Sequence, residues 1–342
     1  MYSEYERPSS VVHFLKAAVS GRAESLDEYW ATPEFRSFLA SRDIDGLLPA
    51  LNIENAPWSE IYSTVWTAQL SALKELLADF ETAGIHALVF KGAELTQRFY
   101  PQTPLSFFVD VDVLVPIAQI QEVKRILYNQ GFSQSFFDTN TYGLVPRSTR
   151  LVGEIEATHY ELAPFCKLTS TKLPKSAYNV LEARQSHPAY AKNGEISIVL
   201  EIDVHHNVAT DVAIEPIFSR AVPSTNFEAL TFSNEDHIWI NCSRFYNEQA
   251  LHNKSSLRTY TYTAPLMTSN VNWDVILSTA RELELSASLY YPLKFMEIIS
   301  NVDVPTDVLN ALAPQVTRHS RDFGWQLGPL LGFIEPFPVP SR

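Results

Sequence analysis

Cysteine is almost absent from this sequence. Its 342 residues include only Cys166 and Cys242, too few and too far apart for a disulfide framework. The expectation is two reduced thiols in a cytoplasmic protein. Long apolar runs are also missing. No stretch approaches membrane-spanning length, and the acidic N-terminus, MYSEYERPSSVVHFLKAAVSG, has too short an apolar run for a signal peptide. Positive charge is scarce: 26 Lys and Arg face 39 Asp and Glu, a formal net charge of −13. That balance counts against broad nucleic-acid binding, which needs a basic footprint. There is no low-complexity tract and no obvious repeat. What remains is a globular composition, 46% hydrophobic and 19% charged, with enough chain for one large or two modest domains.

The stretch from His86 to Val115 organises the chain. An apolar run, Ala87 to Phe90, is broken by Lys91-Gly92, and a helix-like segment follows to Tyr100. A loop bounded by Pro101 and Pro104 leads to a second apolar run that carries Asp110 and Asp112. Strand side chains alternate faces, so these two carboxylates point the same way. Side by side they repel and are costly next to a sheet core. A divalent cation removes that cost, and paired carboxylates suit Mg²⁺.

A second stretch, ISIVLEIDVHH at residues 196–206, alternates cleanly. Ile198, Leu200, Ile202 and Val204 fall on one face, and Glu201, Asp203 and His205 on the other. A solvated edge strand would explain the polar face. Beside an Asp-x-Asp strand, a third carboxylate could instead complete a metal site.

Elsewhere the pattern is helical or mixed. Residues 10 to about 50 read as short helices with one buried stripe through Phe14, Leu15, Val19, Phe35, Phe38 and Leu39. Pro57 opens a longer helix that Gly84 ends, and another runs from Pro116 to Gly131. Phe132 to Phe137 reads as a strand, and so does EIEATHYEL, residues 154–162. Residues 163–195, with Pro164, Pro174 and Pro188, read as an irregular insertion. From Ser233, which with Asp236 resembles a capping box, the chain reads as helices to about residue 320. Asn272 is a candidate cap for one of them. Trp239, Phe245, Tyr246, Tyr260, Tyr262, Tyr290 and Tyr291 fit helical core spacing better than an acceptor pocket. The expected division is a helical cap over 1–55 and an α/β core over 56–222. A helical domain follows over 223–325, then a Pro-rich tail over 326–342.

Lys91-Gly92 at a strand end, Leu95, Tyr100-Pro101 and Asp110-Val-Asp112-Val-Leu-Val together resemble the signature of the uncharacterised nucleotidyltransferase family. That family belongs to the DNA-polymerase-β-like nucleotidyltransferase superfamily. Asp203-Val204-His205 resembles the family's later strand, and Leu257-Arg258 and Trp273-Asp274 resemble its helical segments. The resemblance spans roughly residues 60 to 310. It implies an α+β fold: a polymerase-β-like mixed sheet flanked by helices, with the helical cap and helical C-terminal domain added. It implies a metal-dependent transfer of NMP, AMP from ATP being the expected group, with pyrophosphate released. The acceptor is a small molecule, peptide or protein that the sequence does not name.

In that reading Asp110, Asp112 and Asp203 are catalytic and hold two Mg²⁺ ions, with Mn²⁺ as a substitute. Lys91, Gly92 and Ala93 meet the nucleotide, through backbone N–H groups, the start of the following helix and the lysine charge. His205 orients Asp203, touches the acceptor or is simply structural. Glu201 shares the polar face, and only the family pattern prefers Asp203 to it. The chain departs from the superfamily where Ser or Gly is usual, at Ala93 and Val109. It also carries Ser106 or Phe107 in place of an Arg, and Tyr262 in place of an acidic residue. Two other classes fit the residues. One is a decayed nucleotidyltransferase that still binds nucleotide or a partner. The other is a metal-dependent phosphohydrolase using Asp110, Asp112, Asp203, His205 and His159, although no paired-histidine motif supports it.

Overall fold

The structure is a computed structural model that describes residues 7–20, 32–51, 57–183, 185–210, 212–250, 252, 256–300 and 302–313. The expected Pro-rich tail lies outside the described residues. Helices α1 (Arg7–Ser20), α2 (Pro33–Ala40) and α3 (Leu47–Ala50) come first. Helix α4 (Pro57–Thr82) leads to β1 (Leu88–Val89), α5 (Lys91–Phe99) and β2 (Val111–Leu114). A 3-10 turn precedes α6 (Ile120–Asn129), β3 (Ser133–Asp138) and β4 (Gly143–Pro146). Then come α7 (Thr149–Thr158), β5 (Phe165–Thr171), α8 (Lys175–Ala183), β6 (Ala189–Lys192) and β7 (Glu195–His205). Helix α9 (Glu215–Arg220) and the short strands β8 (Val222–Pro223) and β9 (Leu230–Thr231) follow. The helices α10 (Asn234–Ala250), α11 (Arg258–Met267), α12 (Trp273–Glu282), α13 (Ser286–Ser300) and α14 (Thr306–Leu312) come last.

The fold is α+β, and the chain divides into two compact units. Residues 55–233 form one unit around a mixed sheet with strand order β4-β3-β5-β7-β2-β1-β9-β8. Strand β6 pairs with the first half of β7. Pairing is parallel for β2–β7 and β1–β9 and antiparallel elsewhere among the described strands. Helix α4 packs against β7, α6 and α8 through Ile61, Val65, Leu73, Leu76 and Phe80, all buried at helical spacing.

Residues 1–54 and 234–342 form the other unit. Within it α10 packs on α11 and α13, and α1 packs on α13 and α11. Its aromatic residues are core: Trp239, Phe245, Tyr246, Tyr260, Tyr262, Tyr290 and Tyr291 are all buried. The Tyr246 and Tyr291 rings stack with centroids 6.0 Å apart.

Two stretches differ from the sequence reading. Residues 149–158 are helical where EIEATHYEL suggested a strand. The Ser148 hydroxyl accepts from the Leu151 N–H at 3.3 Å and caps α7, and Arg150 pairs with Glu154 one turn on. The alternation of EIEAT therefore lies on a helix, and only Glu161 bridges to the sheet, opposite His205. The stretch read as an irregular insertion holds β5, α8 and β6. Its prolines mark element edges: Pro164 directly precedes β5, and Pro174 accepts from Tyr178 N–H at the start of α8. Strand β5 pairs with β7 from Phe165↔Ile202 to Thr171↔Ile196, so this segment is central to the sheet.

The connection that delivers Asp110 is fixed from behind by polar groups. Gln69, buried on α4, donates through Nε2 to the Phe108 carbonyl at 2.9 Å. The Phe108 ring lies 5.0 Å from Trp66 and covers Gly92. Glu94 is also buried, and it accepts from Ser224 Oγ at 2.8 Å and from Asn226 Nδ2 at 3.4 Å, which ties α5 to the β8–β9 hairpin. Burial raises the Glu94 carboxyl above its ordinary value, against the lowering effect of those donors.

A Cβ at Gly92 would stand 2.5 Å from the Phe108 ring, which is held between α4 and α5 and is 3% exposed. Gly92→Ala is therefore expected to destabilise the chain by about 1–3 kcal/mol, the usual cost of overpacking. Thermal melting would show it as a drop of several degrees, and Phe108→Ala should relieve the clash in the double variant.

Candidate functional site

Strand β7 owes its length to its alternation, and the parallel ladder with β2 sets the register at its end. Val111 stands opposite Ile202, Asp112 opposite Asp203, Val113 opposite Val204 and Leu114 opposite His205. Val111, Val113, Ile202 and Val204 fill the core beneath, and Asp112, Asp203 and His205 share the other face with Leu114. The Val115 N–H continues the pairing onto the His205 carbonyl at 2.9 Å. Glu201, two residues earlier on the same face, stands opposite Cys166 of β5 and accepts from its thiol at 3.4 Å. Alternation alone leaves Glu201 and Asp203 equivalent, whereas the ladder sets Asp203 beside Asp112.

Asp112, Asp203 and His205 each offer a ligand atom, and these atoms lie within 4.8 Å of one another. Asp112 is 6% exposed and His205 is 1% exposed. The imidazole Nε2 lies 2.8 Å from Asp112 Oδ1, so the hydrogen-bond partner of His205 at this nitrogen is Asp112. Its Nδ1 lies 3.5 Å from the Glu161 carboxylate. The Tyr160 ring stacks on the imidazole at 5.8 Å, and Phe90 meets it edge-on at 5.2 Å. Lys91 forms an ion pair with Asp112 Oδ1, and its ammonium is 3.4 Å from His205 Nε2.

Asp110 immediately precedes β2 and lies outside the three-residue group. Its charge still reaches that group: it is among the causes that raise Asp203 and Glu201. Lys91, Gly92 and Ala93 form the first turn of α5. Lys91, not the glycine, has the left-handed backbone, with φ +52°. For an L-residue that conformation costs roughly 1–2 kcal/mol, and strain of this kind gathers at functional sites. Ala93 is buried, so only its backbone could meet a ligand. Gly92 has a packing reason, its contact with Phe108, that the sequence does not reveal.

The site's electrostatics are those of crowded carboxylates. Burial, reinforced by Asp110, Asp112, Glu201 and Glu161, pushes the Asp203 carboxyl up to about 9. Its Oδ1 is buried without a hydrogen-bond partner. Two carboxylates and an imidazole in one cluster, with an orphaned oxygen among them, fit a divalent cation. Tyr160 and Glu161 were missed by sequence reasoning. They follow α7 in the stretch misread as a strand, and nothing local marks them as neighbours of His205.

The Asp203 shift has a definite sign. Below pH 3.8 the group is neutral both folded and unfolded. Between 3.8 and about 9 the unfolded chain gives up the proton that the metal-free fold retains, so stability falls as pH rises through that window. Asp203→Asn should therefore melt higher than the parent in EDTA at pH 8, by several degrees (roughly 2–4 °C per kcal/mol). The gap should close towards pH 4. Excess Mg²⁺ should reverse the ranking, because a cation that binds only the folded parent stabilises it. Differential scanning calorimetry over pH checks both statements, and equal melting curves in EDTA would refute the assignment.

Comparison with curated proteins gives no match, and comparison with solved structures gives none either. A family model described as uncharacterised nucleotidyltransferase matches residues 60–300, a span that contains the sheet, the Lys91 turn and the Asp112–Asp203–His205 group. On that match the chain belongs to the uncharacterised nucleotidyltransferase family.

Proposed function

We propose that this chain transfers AMP from ATP, with release of pyrophosphate, to a small-molecule, peptide or protein acceptor. The observation that carries the reading is the parallel register that sets Asp112 against Asp203, with His205 completing the group and the Lys91 turn beside it. Asp112, Asp203 and His205 would hold a divalent cation, and Asp110, whose charge acts on Asp203, would be the further carboxylate for a second. Bound there, Mg²⁺ would neutralise phosphate charge and lower the pKa of an attacking hydroxyl. The imidazole in the donor set makes Mn²⁺ an acceptable substitute.

The roles of the chain's own groups follow from their positions. Lys91 supplies positive charge for the donor's phosphates, and the N–H groups of the first α5 turn point their dipoles the same way. Without a bound cation His205 would hold Asp112 in place through Nε2, and that contact would give way if the nitrogen turned to the ion. Asp203, once ionised, accepts the acceptor's proton, and the acceptor oxygen attacks the α-phosphorus in line while the pyrophosphate oxygen leaves. Glu201 is engaged with the Cys166 thiol and stands apart from the reacting atoms. A cytoplasmic setting suits the reading, since Cys166 and Cys242 are free, buried thiols. Among the described residues no helix is long and apolar enough to cross a membrane.

The test is a mass shift on candidate acceptors incubated with each NTP and Mg²⁺, read alongside pyrophosphate release. Asp112→Asn should abolish transfer and leave the circular dichroism spectrum intact. Asp203→Asn should slow single-turnover transfer by orders of magnitude yet keep ATP affinity nearly unchanged. Glu201→Gln should be much milder. A Glu201→Gln defect larger than that of Asp203→Asn would move the third carboxylate two residues along β7, and full turnover by Asp112→Asn would remove the site altogether.

A further inference from the structure

Lys91 touches the very side chains that the cation needs. Its ammonium pairs with Asp112 Oδ1 and lies 3.4 Å from His205 Nε2, two of the three members of the ligand group. It does not partner the buried Asp203 Oδ1, which no hydrogen bond reaches. An ammonium and a divalent cation seek the same lone pairs, and two cations a few ångströms apart in a partly buried site repel strongly. They compete for Asp112 Oδ1, the oxygen that meets both Lys91 and His205. Lysine is suited to leaving: its charge is compact and its four-carbon stem is flexible. A second resting place lies nearby, since Nζ is already 4.9 Å from the centroid of the Phe90 ring. The backbone of Lys91 is fixed at the start of α5, so a released ammonium stays at the helix end where an anion would bind.

We propose that Lys91 occupies the cation seat in the nucleotide-free protein and that a divalent ion displaces it, freeing its ammonium for the donor's phosphates. The exchange rests on the reading of Asp112, Asp203 and His205 as cation ligands. It makes the two ligands cooperative through one side chain. The metal frees the lysine that the nucleotide needs, and the nucleotide, by keeping that lysine away, strengthens metal binding.

Lysine footprinting on the full chain tests the exchange without relying on turnover or on a variant that must fold. The protein is pulsed with acetic anhydride in EDTA, with Mg²⁺ alone, and with Mg²⁺ plus a non-hydrolysable ATP analogue. Acetylation of Lys91 is read by mass spectrometry against Lys124, whose ammonium is held by Glu156 at 2.6 Å. Lys91 labelling should rise several-fold with Mg²⁺ alone and fall again with the analogue, while Lys124 stays constant. In calorimetry, Lys91→Met should bind Mn²⁺ several-fold more tightly than the parent and lose the coupling between Mn²⁺ and the analogue. Calorimetric binding of Mg²⁺ with Lys91 labelling unchanged from EDTA would overturn the exchange and leave the cation site standing. Absence of Mg²⁺ and Mn²⁺ binding in both parent and Lys91→Met would overturn the cation site and the exchange together.

Discussion

The rest of the site answers to one constraint, the parallel pairing of β2 with β7. Once Val111 is level with Ile202 and Val113 with Val204, Asp112 must lie beside Asp203. The apolar partners lock that register, because a slip of one residue would turn every side chain to the opposite face. Two like charges about 4 Å apart at an effective dielectric of ~20 repel by about 4 kcal/mol, a large share of the ~5–15 kcal/mol that holds a domain folded. Lys91, His205 and the retained proton on Asp203 are three local responses to that repulsion. A pair kept at such cost on a rigid ladder is more readily explained by binding than by stability.

Around this centre lies a set of contacts that hold the loops in position. Gln69 reaches from α4 to the Phe108 carbonyl, the Phe108 ring seals against Gly92, and Glu94 ties α5 to the β8–β9 hairpin. Each departs from a simple pattern rule. Gln69 is polar on an apolar helix face, Glu94 is a buried carboxyl, and Gly92 lies inside a helix. Together they hold the start of α5 and the approach to β2 in fixed relation, so the Lys91 ammonium lies within reach of Asp112.

Much of the architecture is legible in the sequence because it rests on local periodicity. The two-residue period of Ile196 to His206 reveals β7 and its polar face, Pro57 and Gly84 bracket α4, and the break at Lys91 marks the passage from β1 to α5. The same rule misleads at Glu154 to Leu162, where alternation over a few residues also suits a helix and the cap at Ser148 decides. Prolines 164, 174 and 188 read as marks of an irregular insertion, although each directly precedes an ordered element. The site itself is less legible. The alignment of Asp112 with Asp203, the pairing of Lys91 with Asp112 and the placement of Tyr160 and Glu161 around His205 all join residues far apart in the chain. Such contacts leave no local trace, and family resemblance supplied the expectation for Asp203 alone.

The ladder between β2 and β7 also has a consequence in time. Asp112 and His205 are 93 residues apart, and β3 to β6 are made between them. A chain emerging from the ribosome therefore exposes Asp112 long before Asp203 and His205 exist. Until β7 arrives, Lys91 is the nearby counter-charge that the chain can offer Asp112. The cluster can close only once β7, made late, takes its place between β5 and β2. Long-range pairing of this kind is slow, and it leaves strand edges open while it waits. On the proposed function, divalent-ion binding would be acquired only at the end of sheet assembly, and a chain broken anywhere before β7 would lack two of the three proposed ligands.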